Sequence, residues 1–239
     1  MHFTGETTVG SIVAEDFRTA AVFHEFGIDF CCGGRRTLAD ACRDRDVEPA
    51  SVLSALSRSC SVPGIAPRFD EWSPETLIGY IVGTHHAYVR QAMPLLIAHT
   101  QKLAAAHGSR HPELHEVARL MQQVAGEMSS HMIKEEQILF PYIAAAAESV
   151  EHGTPAPASP FGSIDNPIAM MEAEHDAAGE AMASIRSLTG GFVPPPDGCT
   201  TYRVALQELE AFERDLHTHV HLENNILFPR ARRLEHARG

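Results

Sequence analysis

The chain has 239 residues, 44% of them apolar, which allows a buried core in one or two domains. Its formal net charge of −12 excludes the basic surface that nonspecific phosphate binding requires, so nucleic acid is not expected as a partner. The N-terminus, Met1-His2-Phe3-Thr4-Gly5-Glu6, lacks the basic and apolar segments of a signal peptide, and no apolar run approaches a membrane span. A cytoplasmic protein with no membrane contact is expected, and its five cysteines, an odd number, do not suggest a disulfide framework.

Residues 1–62 predict a small helical domain. Thr8 or Asp16 can cap short helices, and Phe17, Ala20, Ala21, Phe23 and His24 form a loosely amphipathic run that Gly27 stops. The stretch Ile28-Asp29-Phe30-Cys31-Cys32-Gly33-Gly34-Arg35-Arg36 reads as a loop. Thr37 then caps a helix over Leu38 to Arg45, and Pro49 opens another that runs to about Ser59. So small a unit has little core of its own and should lean on another surface.

Cys60 to Trp72, with Pro63, Gly64 and Pro67, reads as a linker. Residues 73–239 then carry four long helical patterns, and the fold class expected is all-α with a four-helix bundle. Helix A opens at Ser73-Pro74 and continues past Pro94, where a kink is expected. Helix B runs from about His111-Pro112 to Ala147, helix C from behind Asn166-Pro167 to Leu188, and helix D from about Thr200.

Heptad-like spacing gives inward series for these helices. In B the series is Val117, Met121, Val124, Met128, His131, Glu135, Ile138, Tyr142; in C it is Ile168, Met171, His175, Ala178, Met182, Ile185. In D it is Tyr202, Ala205, Leu209, Phe212, Leu216, His219, Glu223, Ile226. Helix A offers two: one through Gly79, Val82, His86, Val89, Met93 and Leu96, the other through Ile78, Ile81, His85, Tyr88, Ala92 and Leu95. Periodicity does not choose between His85 and His86.

The polar members of these series share a pattern. His131 to Pro141 and His219 to Pro229 both read H-x-x-x-E-x-x-I-L-F-P, and residues four apart on a helix face the same way. A carboxylate buried without a partner costs several kcal/mol, so such a set calls for compensation, which bound metal supplies. Two carboxylates can bridge a pair of cations about 3.5–4 Å apart with imidazoles at either side. Imidazole with carboxylate suits iron and admits manganese or zinc. Glu127, one turn before His131, and Glu174, beside His175, are candidates for supporting positions around the ligands. His217 and His221 flank His219 on the far side of its helix, and His99, His107, His111, His115 and His152 have no matching phase.

The Asp29-Phe30-Cys31-Cys32-Gly33-Gly34 loop, His85-His86-Ala87-Tyr88, Ser129-Ser130-His131 through Pro141, Glu174-His175-Asp176 and Leu222 through Arg230 together resemble the bacterial Repair of Iron Centers family. The likeness covers nearly the whole chain. It implies a short Cys-Cys domain ahead of a hemerythrin-like bundle holding two iron ions, a non-haem centre that is oxo-bridged when oxidised. It also implies repair of iron-sulfur clusters after nitrosative or oxidative stress, with damaged iron-sulfur proteins as partners and nitric oxide or oxygen as small ligand. The family's first ligand lies eight residues before a helix proline, which selects His86 through Pro94. The other ligands map onto His131, Glu135, His175, His219 and Glu223.

Three activities fit. One is iron delivery, and another is nitric oxide reductase-like or denitrosylase chemistry. The third is an oxygen or nitric oxide binding and sensing module, which has no need of a Cys-Cys domain. A homodimer is compatible with the sequence, which does not fix the oligomeric state.

Cys31 and Cys32 are the candidate reactive residues. Adjacent Cα atoms lie about 3.8 Å apart whereas disulfides want at least about 4.4 Å, so a bond within the pair would be strained. Arg35, Arg36 and the helix start near Thr37 are expected to favour thiolate. The pair is expected to relay electrons or to accept iron or nitrosyl groups.

Overall fold

Caps and stops come every few residues in the first sixty positions, and the helices there are correspondingly short. In the computed structural model, which describes residues 3–61, 67–155 and 157–236, α1 (Val9–Glu15) follows Thr8 and α2 (Thr19–Glu25) follows the Asp16 turn. Asp16 accepts from the Arg18 backbone N–H at 3.1 Å and from its guanidinium at 2.6–3.1 Å. Gly27 leaves the helix at φ +64, where a side chain would be strained. Thr37 caps α3 (Leu38–Asp44) by accepting from the Asp40 N–H at 3.2 Å, and Pro49 starts α4 (Pro49–Ser61). Val9, Ile12, Val13, Phe23, Leu38, Val52 and Leu56 are fully buried. No strand forms among the described residues; Thr8 and Thr37 make an isolated bridge. Of the expected linker, residues 62–66, including Pro63 and Gly64, lie outside the described residues, as do the boundaries at 62 and 239.

The described residues form two compact units, Met1–Ile78 with Ala146–Ala156 and His217–Gly239, and Gly79–Ala145 with Pro157–Leu216. In the first, the short helices share their core with the C-terminal segment. The Phe30 ring lies 5.6 Å from His221, and Arg230 donates to the carbonyls of Asp70 and Trp72. The first sixty residues thus do lean on another surface.

Four long helical stretches follow. Helix A is α5 (Pro74–Tyr80), a π-helical turn (Ile81–His86) and α6 (Ala87–His107); helix B is α7 (Glu113–Lys134), a π turn (Glu135–Leu139) and α8 (Phe140–His152). Helix C is α9 (Asp165–Leu188), and helix D is α10 (Thr200–Leu222), a π turn (Glu223–Leu227) and α11 (Phe228–His236). Within the second unit, polar pairs join A to B (Arg90–Glu136), B to C (Lys134–Glu174), C to D (Arg186–Glu213) and D back to A (His99–Glu208). That closed ring is a four-helix bundle.

The π turns explain where the inward series fail. A π turn inserts one residue into the helical repeat and moves every later side chain around the axis. In helix B the expected series holds to Glu135, but Ile138 is 50% exposed and Leu139, Ile143 and Ala146 are buried in its place. In helix A, Ile81 and His85 of one series are buried within the turn, and from its last residue onward His86, Val89, Met93 and Leu96 of the other. Each of the two competing series is therefore correct for one half of the helix. His85 and His86, at the changeover, are both buried. Pro94 lies inside α6, and the change of hydrogen-bond register comes earlier in the helix.

Candidate metal centre

Helices A, B and C of the bundle bring four polar side chains into its apolar interior: His86, His131, Glu135 and His175, all essentially without solvent exposure. Glu135 Oε2 lies 3.2 Å from His131 Nε2 and 3.4 Å from His86 Nε2. His175 Nε2 faces His131 Nε2 at 2.9 Å. His131, Glu135 and His175 each offer a ligand atom within 4.8 Å of the other two. Two imidazole nitrogens and a carboxylate oxygen converging on one dry point form a donor set that a cation satisfies, so these residues fit a bound metal.

The outer nitrogens of two of these rings are held by carboxylates. Glu174 lies 2.9 Å from His131 Nδ1 and also takes the Lys134 ammonium. Glu136 lies 2.6 Å from His86 Nδ1 and 2.6 Å from an Arg90 nitrogen. Burial raises both carboxyls, but the bonds from His86 and Arg90, and from Lys134 and His131, outweigh it and hold them below their usual range. A carboxylate on Nδ1 makes it the protonated nitrogen and leaves the Nε2 lone pair for a metal. Glu127 is exposed and accepts instead from Gln123 at 3.0 Å, so the structure does not bring it to the cluster. Glu136 carries no motif of its own in the sequence beyond the Glu-Glu pair at the start of the π turn.

On helix D, His219 and Glu223 are fully buried, with Nε2 and Oε1 3.0 Å apart. They stand in the one-turn relation of His131 and Glu135, and Glu223 opens the D π turn as Glu135 opens that of B. His221 belongs to the opposite face, as its phase predicted. It is buried against Phe30 and Phe17, and burial pushes its pKa down to about 4. His85 faces Asp215 at 2.9 Å, His99 faces Glu208, His111 faces Asp197, and His107 lies 3.4 Å from Cys199 Sγ.

Cys31 and Cys32 are free thiols, the first buried and the second half-buried. Asp29 shapes their loop: Oδ1 accepts from the N–H groups of Cys31 (2.9 Å) and Cys32 (3.1 Å), and Oδ2 from Gly33 (2.9 Å). The expected preference for thiolate is reversed at Cys31. The neighbouring Cys32, burial and the Asp29 charge push its thiol well up, while Arg36 is drawn away to Asp44 at 2.5 Å. Asn225, two residues past Glu223, donates to the carbonyls of Phe30 (3.3 Å) and Cys31 (2.9 Å). A Cβ at Gly10 or Gly34 would come within 2.4 or 2.2 Å of Asn225 Oδ1, so both positions need glycine.

The hemerythrin HHE cation binding domain matches residues 78–231, and a domain of unknown function, DUF542, matches residues 5–59. The iron-sulfur cluster repair protein YtfE of Musicola paradisiaca is 34% identical, over 98% of this chain and 100% of its own length. The protein of that name from Pectobacterium atrosepticum is 34% identical over 96% and 98%, and one from Yersinia pestis 32% over 95% and 97%. The family resemblance carried by the motifs is thereby borne out. This chain, a DUF542 domain followed by a hemerythrin HHE cation binding domain, belongs to the family of the YtfE iron-sulfur cluster repair proteins.

Proposed function

We propose that the chain repairs iron-sulfur clusters damaged by nitrosative or oxidative stress, and that His86, His131, Glu135, His175, His219 and Glu223 together hold two iron ions for this work. The observation that carries the reading is a buried imidazole and carboxylate cluster in a chain similar from end to end to iron-sulfur cluster repair proteins. Glu135 and Glu223, equivalent in the two motifs, would supply the carboxylates of the donor set, and the histidines its imidazoles. Glu136 and Glu174 orient two of those rings. Bound iron supplies redox chemistry and a position for a small ligand such as nitric oxide or oxygen. Cys31 and Cys32 serve as the thiol partner of the bundle, taking up iron, nitrosyl groups or electrons. The clients are damaged iron-sulfur proteins, and the cytoplasm is the proposed compartment. Among the described residues no helix is long and apolar enough to cross a membrane.

The thiol pair favours repair over an oxygen or nitric oxide sensing module, which has no use for it. Anaerobic mixing of the iron-loaded protein with a nitrosylated iron-sulfur protein tests the proposal, with iron and nitrogen products both followed. Cluster recovery is expected, with iron leaving the bundle if it acts by delivery, or nitrous oxide formed if it acts by nitric oxide reduction. Nitric oxide binding without any recovery of the cluster would overturn repair in favour of sensing.

A further inference from the structure

The geometry points to a second metal site on the Cys31–Cys32 loop, in which Asp29, Cys31 and Cys32 bind one thiophilic divalent cation. That the cation is ferrous iron rests on the function proposed above; the site itself does not.

Each of the three side chains offers a ligand atom within 4.8 Å of the other two, and Cys31 Sγ lies 3.1 Å from Asp29 Oδ1. Adjacent residues in an extended chain point to opposite sides, and two neighbouring cysteines would ordinarily be poor partners for one ion. Here the backbone is wrapped around the Asp29 carboxylate by the N–H groups of Cys31, Cys32 and Gly33, and both sulfurs lie within 4.8 Å of each other and of a carboxylate oxygen. The loop is also held from behind. Asn225 donates to the Phe30 and Cys31 carbonyls, and the Gly10 N–H donates to Gly34 O at 2.8 Å. The ligands are thus preorganised by contacts that do not themselves depend on a metal.

Two thiolates with one carboxylate suit iron(II), zinc or cobalt(II) and are poor ligands for magnesium or calcium. Asp29 is exposed and Cys32 half-buried, so three protein ligands leave a fourth position open to the outside, as an ion awaiting transfer requires. Binding replaces two S–H bonds with two sulfur–metal bonds, and both protons go to solvent; no electron moves.

Anaerobic titration of the full-length protein with cobalt(II) tests this. Thiolate-to-cobalt charge transfer in the near ultraviolet is expected at one equivalent. None of the residues proposed as bundle ligands carries sulfur, so the band reports on the loop alone. The double variant Cys31→Ser, Cys32→Ser should abolish it. Asp29→Asn, which keeps an acceptor oxygen for the Cys31 and Cys32 N–H groups, should weaken cobalt binding about tenfold or more. Replacing Cys42, Cys60 and Cys199 with Ser should leave the band intact. Absence of the band at saturating cobalt, or its survival in the double variant, overturns the site. In protein first stripped of iron by a chelator, a band with no cobalt taken up beyond that single equivalent would instead overturn the bundle reading and leave the loop site standing.

Discussion

Glu136 lies 2.6 Å from Nδ1 of His86, on the side of the imidazole away from Glu135, whose Oε2 is 3.4 Å from Nε2. The ring is therefore oriented by one glutamate toward the one that precedes it in the sequence. Removing the orienting carboxylate should cost metal without removing a ligand. Glu136→Gln is expected to weaken metal binding about 10–100-fold, and Glu127→Gln to leave it unchanged. Competition against a chelator of known affinity measures both; equal losses would show that Glu136 does not orient the ring.

The two faces of helix D separate metal binding from packing. Glu223→Ala should strip metal from the bundle. His221→Ala should leave the metal content intact while destabilising the protein by about 2–4 kcal/mol, because a buried ring between Phe17 and Phe30 is lost. Metal analysis beside denaturant unfolding distinguishes them. Equal metal loss in both variants would mean that His221 also faces the ions.

Gly34 and Asn225 should be energetically coupled. The Cβ of Gly34→Ala would lie 2.2 Å from Asn225 Oδ1, which forces that amide off the Phe30 and Cys31 carbonyls. A cost of about 1–3 kcal/mol is expected. The same substitution should cost less in an Asn225→Ala background, where the clash is gone. A double-mutant cycle on unfolding free energies reads the coupling, and additive costs would contradict it.

The folded protein should lose a specific increment of stability in acid. Hydrogen bonds from Arg18 hold the Asp16 carboxyl below the usual carboxylate range, although burial pulls the other way. A group depressed by folding stabilises above its unfolded pKa, and that contribution disappears as pH falls through the folded value. Asp16→Asn is therefore expected to cost about 1.5–3 kcal/mol at neutral pH and to flatten the loss below about pH 4. Unfolding curves of metal-free protein from pH 7 to pH 3 measure this. An unchanged acid slope in the variant would contradict it.

The helices and most of the core were legible because spacing and caps act locally. Thr37, Pro49 and Gly27 set helix ends as their chemistry dictates, and all six expected core positions of helix C are buried. The π turns were not legible. An i to i+5 register is chosen by what the helix packs against, and I-L-F-P carries no local signal for it, so Ile138 and Tyr142 were placed inward where Leu139 and Ile143 belong. The H-x-x-x-E repeat exposed the polar core because it is written twice in the sequence. Glu136 was hidden because its partner, Nδ1 of His86, lies on another helix, 50 residues away in the chain. Asn225 was hidden because its partners, the carbonyls of Phe30 and Cys31, lie almost two hundred residues away in the chain.

Repair as proposed depends on a pair of iron ions held by His86, His131, Glu135, His175, His219 and Glu223. Metal analysis of protein made in iron-replete cells tests it most directly, with Glu135→Ala and Glu223→Ala measured alongside. Two iron ions per chain are expected in the Cys31→Ser, Cys32→Ser background, which removes the loop site, and near-complete loss is expected in either glutamate variant. A stoichiometry near one in that background, or zinc alone, would contradict the di-iron account.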